Sequence, residues 1–388
     1  MGFFNILFPK KITGKDEPAD SEGVKVQVSH PFYIKAPAVL LGLCLFVYIL
    51  ILLQDILVPV CFATLIAILL NPIVNRLMKW RIPKPVSIGI AVLLAAIVFA
   101  GLIIFLSSQV SNFTEMAPQL KQRGSQIISE AQGWVESTFN FSKAKQNAAL
   151  QNTQKNMQPF LTGMLGSLMG VISVFVLLPI YIFLILYYKP LFLNFFYEVF
   201  EDRYENKVAE ILSETKNAIQ KYISGLLIEM VIVATLNSTA LLILGVKYAV
   251  LIGVIGAILN LVPYIGGLIA IALPVILSIV AGDGGLTTPL LVIGSYLLIQ
   301  FIDNNFLVPK IVASKVDVNA FVSIIIVLMG GAMWGVSGMF LSIPFIAICK
   351  IIFDRIGPLK PWGKLLGVKM GEDPPKKVVN EIDADKIN

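Results

Sequence analysis

A chain of 388 residues that is 57% hydrophobic and 14% charged, with a mean hydropathy of +0.83, is too apolar for a soluble domain, where about a quarter of residues carry charge. An all-α polytopic membrane protein is expected. The net charge of +6 gathers beside apolar runs and not on a basic stripe with aromatic platforms, which argues against nucleic acid as a partner.

Residues 1–36 read as a cytosolic leader without a cleavable signal pattern, whose Phe3, Phe4, Ile6, Leu7 and Phe8 can lie on the membrane surface. Spans one to three follow within 37–108, at 37–53, 56–78 and 86–108, each near the length a bilayer requires. The Gln-, Asn- and Ser-rich stretch 109–159 predicts amphipathic helix outside the bilayer, on the extracytoplasmic side. Span four covers 160–188 and stops at Lys189-Pro190. Residues 189–223 are expected on the cytosolic side. They contain a surface helix over 199–223 that carries Val208, Ile211, Leu212, Thr215, Ile219, Tyr222 and Ile223 on one stripe.

The segment 224–357 then reads as a transport core. It holds a fifth span at 224–244, an apolar run at 286–302, a polar connector at 303–318 and two over-long apolar stretches. One stretch, 249–281, is broken by Asn260-Leu261-Val262-Pro263-Tyr264-Ile265-Gly266-Gly267; the other, 319–353, is broken by Gly330-Gly331 through Gly335 and Gly338. As one helix either would be roughly 50 Å long against about 30 Å of hydrocarbon, so neither is an ordinary span. Discontinuous helices or re-entrant hairpins are expected. Irregular backbone at membrane depth survives only where protein buries it or it lines a wet cavity, and paired interruptions of this kind point to a transporter's binding site. Residues 358–388 form a charged cytosolic tail.

Lysines and arginines beside the spans place both termini inside, which demands an even number of crossings. Eight result if each broken stretch crosses once, six if both are hairpins that return to the side they entered; the position of Lys310 and Lys315 favours hairpins.

Ionisable and amide groups at membrane depth are the functional candidates. Glu229 in the fifth span could exchange a proton or cation, or could snorkel and pair with Lys221. Gln300, Asp303 and Asn304 fall at i, i+3 and i+4 and could join Asn260 and Tyr264 around a small hydroxylated solute or a monovalent cation, or could merely cap a helix. Pro263, Gly266, Gly267, Gly330, Gly331 and Gly335 free backbone groups near the same place, or permit close helix packing.

No enzyme activity is expected. The one histidine, His30, leaves no His-based dyad or metal triad, and the usual hydrolase, metalloprotease and phosphate-loop motifs are missing from the sequence. Cys44, Cys61 and Cys349 lie in apolar runs without a metal-binding spacing, so neither cofactor nor metal is expected.

The motifs Leu259-Asn260-Leu261-Val262-Pro263-Tyr264-Ile265-Gly266, Gln300 to Asn305 leading to Pro309, and Gly330-Gly331 through Gly335, Gly338 and Ser342-Ile343-Pro344 resemble the AI-2E family, the autoinducer-2 exporter-like proteins. Two positions, Gly267 and Ala320, depart from prolines common in that family. The resemblance implies a multi-pass protein of the bacterial inner membrane, in contact with lipid and assembled as a homo-oligomer such as a pentamer. It also implies export of small polar solutes, autoinducer-2 and hence quorum sensing among them. A monovalent cation/proton antiporter and a non-transporting membrane scaffold are the alternative readings.

Overall fold

The computed structural model describes residues 32–114, 117–139, 142, 146–147, 177–200, 202–262, 265–281, 287–312 and 318–367. All secondary structure among them is helical. The chain divides into units 1–49 and 50–388, and the first holds most of the apolar helix α1 (Phe32–Leu52).

In the larger unit, α2 (Gln54–Lys79) and α3 (Lys84–Thr114) are each long and apolar enough to cross a bilayer. They pack with α5 (Leu177–Tyr187) through Ala63, Ala67 and Leu70 of α2, Ile88 and Ala91 of α3, and Ile182 and Leu186 of α5. The small alanines let these backbones approach closely, which is how apolar helices gain contact energy where lipid is as oily as the partner. Between α3 and α5 the polar stretch forms α4 (Ala117–Phe139), while α3 itself runs to Thr114, past the expected end of span three. After α5 the chain turns by 57° into α6 (Lys189–Val199), with Pro190 fixing the first turn.

The axis of the unit is α7 (Glu205–Ile243). The sequence suggests a surface helix joined to a separate span, but the two are one uninterrupted helix of 39 residues, about 58 Å long. The Ser224-Gly225 step at the expected boundary does not break it, and the apolar stripe of its first half continues in register into the second. Its excess over the bilayer thickness carries charged residues beyond the hydrocarbon.

Both broken stretches are hairpins. The first consists of α8 (Ala249–Asn260) and α9 (Ile265–Ala281), which fold back so that the Cβ position of Gly256 lies 3.5 Å from the Ala270 methyl. The second lies within α11 (Ala320–Arg355), where Trp334 and Gly335 leave helical geometry; Gly335 takes φ +60°, a conformation open to glycine at little cost. Its arms, 320–333 and 336–355, run antiparallel, since the Ser342 hydroxyl donates to the Ile326 carbonyl at 2.9 Å. Along a straight helix those residues would stand about 24 Å apart.

The expected polar connector at 303–318 also differs. α10 (Thr287–Ile302) continues as a π-helix over Asp303–Val312. A short α12 (Lys360–Leu366) closes the described chain; the Leu366 carbonyl accepts from the Asn319 backbone N–H at 2.9 Å, and the Leu365 carbonyl from the Asn319 side chain at 2.8 Å.

These contacts give the two hairpins opposite bases. Arg355, at the foot of the second hairpin, pairs with Glu210 at 3.4 Å and with Glu214, both near the N-terminal end of α7, and Asn319 at the other foot is tied to α12 close by. The first hairpin starts at the opposite end of α7, where Gly253 abuts Ser238 and Gly256 faces Asn237. The arms of the second hairpin touch through glycine: a Cβ on Gly338 would collide with the Gly330 carbonyl. Gly338→Ala should therefore destabilise the protein by about 1–3 kcal/mol, whereas Gly101→Ala, with open space around it, should be neutral or better. Thermal unfolding of the purified protein in detergent checks this.

Candidate functional site

Glu229 lies 15 residues beyond Glu214 and 14 before Ile243 on α7, so it sits about 22 Å from one and 21 Å from the other along the helix. Lys221 stands only about 12 Å before it on the same helix, so Glu229 lies inside the apolar part of α7 nearer its charged end, and it is 5% exposed. Asp303, at the junction where α10 turns from α- to π-helix, is 2% exposed. The two carboxyl groups lie within hydrogen-bonding reach of each other. Such a bond requires a proton on one of them, because an ionised carboxylate only accepts.

The tip of the first hairpin completes the site. The Asn260 side-chain amide donates to Asp303 Oδ2 at 2.9 Å. Gly267 faces the same cluster: a Cβ there would lie 2.8 Å from Gln300 Oε1 and 3.4 Å from Asn260 Oδ1, so its lack of a side chain keeps the amide oxygens of two helices at one small gap. Glu229 Oε2 and Asp303 Oδ1 are buried without a protein hydrogen-bond partner. Four oxygens of two carboxyls and two amides thus gather around one point at membrane depth. Buried acceptors of this kind need a proton, a cation or the hydroxyls of a solute. Among the described residues no group of three His, Cys, Asp or Glu side chains could hold a metal ion.

The structure sorts the sequence-predicted residues clearly. Glu229, Asn260, Gly267, Gln300 and Asp303 come together. Gly266 supports them from the hairpin turn, where a Cβ would run into the Leu259 carbonyl. Asn304 does not join the buried face: it is exposed and only accepts from Gln300 Nε2 at 3.3 Å. Gln300 and Asn304 do share a face, at i, i+4, through that bond, while Asp303, roughly 100° round the helix from Asn304, faces inward. Asp303 itself is no terminal cap, because helix continues for nine residues after it. The expected partner of Glu229, Lys221, is exposed, and Glu229 faces Asp303 instead. Pro263 and Tyr264 lie outside the described residues.

The glycines of the second hairpin serve its own packing. Gly330 meets Gly338 and Ser342, Gly331 meets Met339, and Gly335 stands exposed at the turn. What brings this tip to the site is Trp334. Its ring and Leu261 of the first tip pack on one apolar cluster of Leu65, Ile219, Tyr222, Ile223 and Leu226. Both hairpin tips therefore border one apolar cluster, to which α7 contributes Ile219, Tyr222, Ile223 and Leu226. Sequence reasoning missed Tyr222 as a neighbour of the carboxyl pair; the spacing i, i+7 to Glu229, two helical turns, is the signal that could have found it. Asn237 and Tyr296 add buried unpartnered oxygens two turns from Glu229 and Asp303 respectively.

A family model described as AI-2E family transporter matches residues 39–357. The chain belongs to this family. Among its relatives, YueF of Bacillus subtilis (strain 168), a protein named for transport, is 25% identical over 315 residues, covering 77% of this chain and 83% of the relative. The AI-2 transport protein TqsA of Escherichia coli (strain K12) is 25% identical over 301 residues, covering 78% and 86%. PerM of the same organism, named as a permease, is 26% identical over 315 residues, covering 75% and 87%. Family and fold together make the chain a multi-pass membrane transporter.

Removing the one donor that reaches Asp303 from the first hairpin leaves a buried carboxyl oxygen without it. Asn260→Ala should cost about 1–3 kcal/mol of stability, while Asn304→Ala, on the exposed face, should stay within about 0.5 kcal/mol of the native protein. Parallel unfolding curves of the two variants decide between them.

Proposed function

We propose that the protein is a secondary transporter that moves a small polar solute through the gap between Asn260, Gly267, Gln300 and the Glu229–Asp303 pair, with that pair carrying the coupling proton. The observation that carries this reading is the pairing of two buried carboxyls on two long apolar helices. A shared proton there can be exchanged for a cation or released when a solute takes over the hydrogen bonds. The two hairpins enter from opposite ends of α7, so each can govern access to the pair from its own side.

Autoinducer-2 is the first solute to test, because the relative TqsA carries it in its name, and export is the direction suggested by the sequence resemblance. The energy is supplied by an ion gradient, since the sequence carries no phosphate-binding loop. On this reading the protein acts in the bacterial inner membrane with both termini cytosolic, as a homo-oligomer of the kind the resemblance suggests. A second reading, monovalent cation/proton antiport, is favoured by the oxygen-only lining of the site, which suits an alkali ion as well as a hydroxylated solute.

Glu229→Gln tests both. Glutamine can still donate to Asp303 but cannot give up a proton at neutral pH, so folding should persist while coupled flux falls at least tenfold. In proteoliposomes with imposed pH and sodium gradients, loss of autoinducer-2 movement is expected on the first reading, and loss of sodium-driven proton movement alone on the second. Native flux of both in Glu229→Gln and Asp303→Asn would remove the pair from the mechanism.

A further inference from the structure

A second cluster of charge lies apart from the carboxyl pair. Lys84 begins α3, Lys189 begins α6, and Lys216 stands on the N-terminal half of α7. The chain brings the first two together through α5: Lys84 Nζ donates to the Tyr187 carbonyl at 2.7 Å and stands 5.5 Å over the Tyr187 ring, while Lys189 Nζ donates to Oδ1 of the buried Asn71 at 3.0 Å. Lys84 and Lys216 both lie near enough to Lys189 to act on it through their charge. Three lysines from three helices thus stand near one another, and the groups that hold two of them are neutral. Each of those two retains two further N–H donors.

Gathering like charges costs free energy unless an anion offsets it. The position says which anion. Lys84 and Lys189 mark the ends of spanning helices, the level at which lipid phosphates lie. Beside them α6 has no buried residue and exposes Leu191, Phe192, Phe195, Phe196 and Val199. A short aromatic helix of this kind, turned 57° from the span before it, has the character of one that rests in the boundary between headgroups and acyl chains.

We propose that Lys84, Lys189 and Lys216 form a docking site for the phosphate of an anionic lipid headgroup, with the apolar face of α6 set against the acyl chains of the same lipid. The site stands apart from the transport reading and survives if that reading fails.

The test is native mass spectrometry of the purified full chain in detergent micelles doped with phosphatidylglycerol or phosphatidylcholine of matched chains. The native protein should retain phosphatidylglycerol in preference. Lys84→Gln/Lys189→Gln/Lys216→Gln should lower that retention on the order of tenfold or more, given the several-fold attraction each surface lysine adds. The corresponding triple arginine variant should keep it, and Lys360→Gln/Lys364→Gln should leave it unchanged. If the triple glutamine variant fails to fold, the exposed Lys216→Gln alone, expected to lower retention several-fold, gives the reading. Equal retention of the two lipids by the native protein, no change in the glutamine variants, or displacement of phosphatidylglycerol by millimolar inorganic phosphate would each overturn the proposal.

Discussion

Inside a bilayer no water is at hand to satisfy a polar group, so every carboxyl, amide and broken helix end at that depth must find its partner within the protein. The organisation of the larger unit follows from this. Asp303 and Glu229 are buried on two long apolar helices, and a carboxyl paired with another still has oxygens to satisfy. Asn260 meets that need only because the first hairpin carries its turn down to the same depth. The hairpin in turn exists because Gly253, Gly256 and Gly266 allow its backbone to press on α7 and on itself. Polar demand at one point and small residues along the approach to it are two sides of one arrangement.

The two hairpins answer the same demand in different ways. The first presents amide groups to the carboxyl pair, whereas the second presents an indole ring whose N–H donates to the Leu50 carbonyl at 3.0 Å, with Ser342 donating across the arms to Ile326 and within its own arm to Gly338. Their bases differ in character too. The second is held at its foot by charge, through Arg355 with Glu210 and Glu214 and Lys350 with Asp354 at 2.6 Å, while the first is seated by apolar packing among Leu241, Ala249, Ile252 and Leu277. Ion pairs outside the hydrocarbon are worth little individually and are weakened by salt, so the second foot is the more sensitive to ionic conditions. α7 serves both, because its length lets one continuous helix present charge at one end, the carboxyl in the middle and small polar residues beyond it.

Much of this was legible in the sequence, for identifiable reasons. A stretch too long for one span and broken by glycine has few options in a bilayer, so the hairpins at 249–281 and 319–353 could be read from length and composition. Buried carboxyls are rare enough that Glu229 and Asp303 stood out singly. Their pairing did not, because 74 positions separate them and nothing local links them. The face expected for Gln300, Asp303 and Asn304 divides: Gln300 and Asn304 bond at i, i+4 as the spacing suggests, whereas Asp303 turns inward to Asn260, and the π-helix that follows it leaves no mark in composition. The uninterrupted course of α7 was hidden by its change from charged to apolar residues, a change in solvent that composition alone resembles a boundary. Trp334 reads as one more apolar residue until the second tip is seen to border the same cluster as Leu261 of the first.

The central claim is that each hairpin returns to the face from which it starts, the two starting from opposite faces and meeting at the carboxyl pair. Thiol labelling with a membrane-impermeant reagent tests it most directly, in protein whose Cys44, Cys61 and Cys349 are replaced and which carries one new cysteine at Val318, Gly357 or Lys247. Positions 318 and 357 flank the second hairpin, and 247 precedes the first. Val318→Cys and Gly357→Cys should label from the same face and Lys247→Cys from the other. Labelling of the first two from opposite faces would contradict the account.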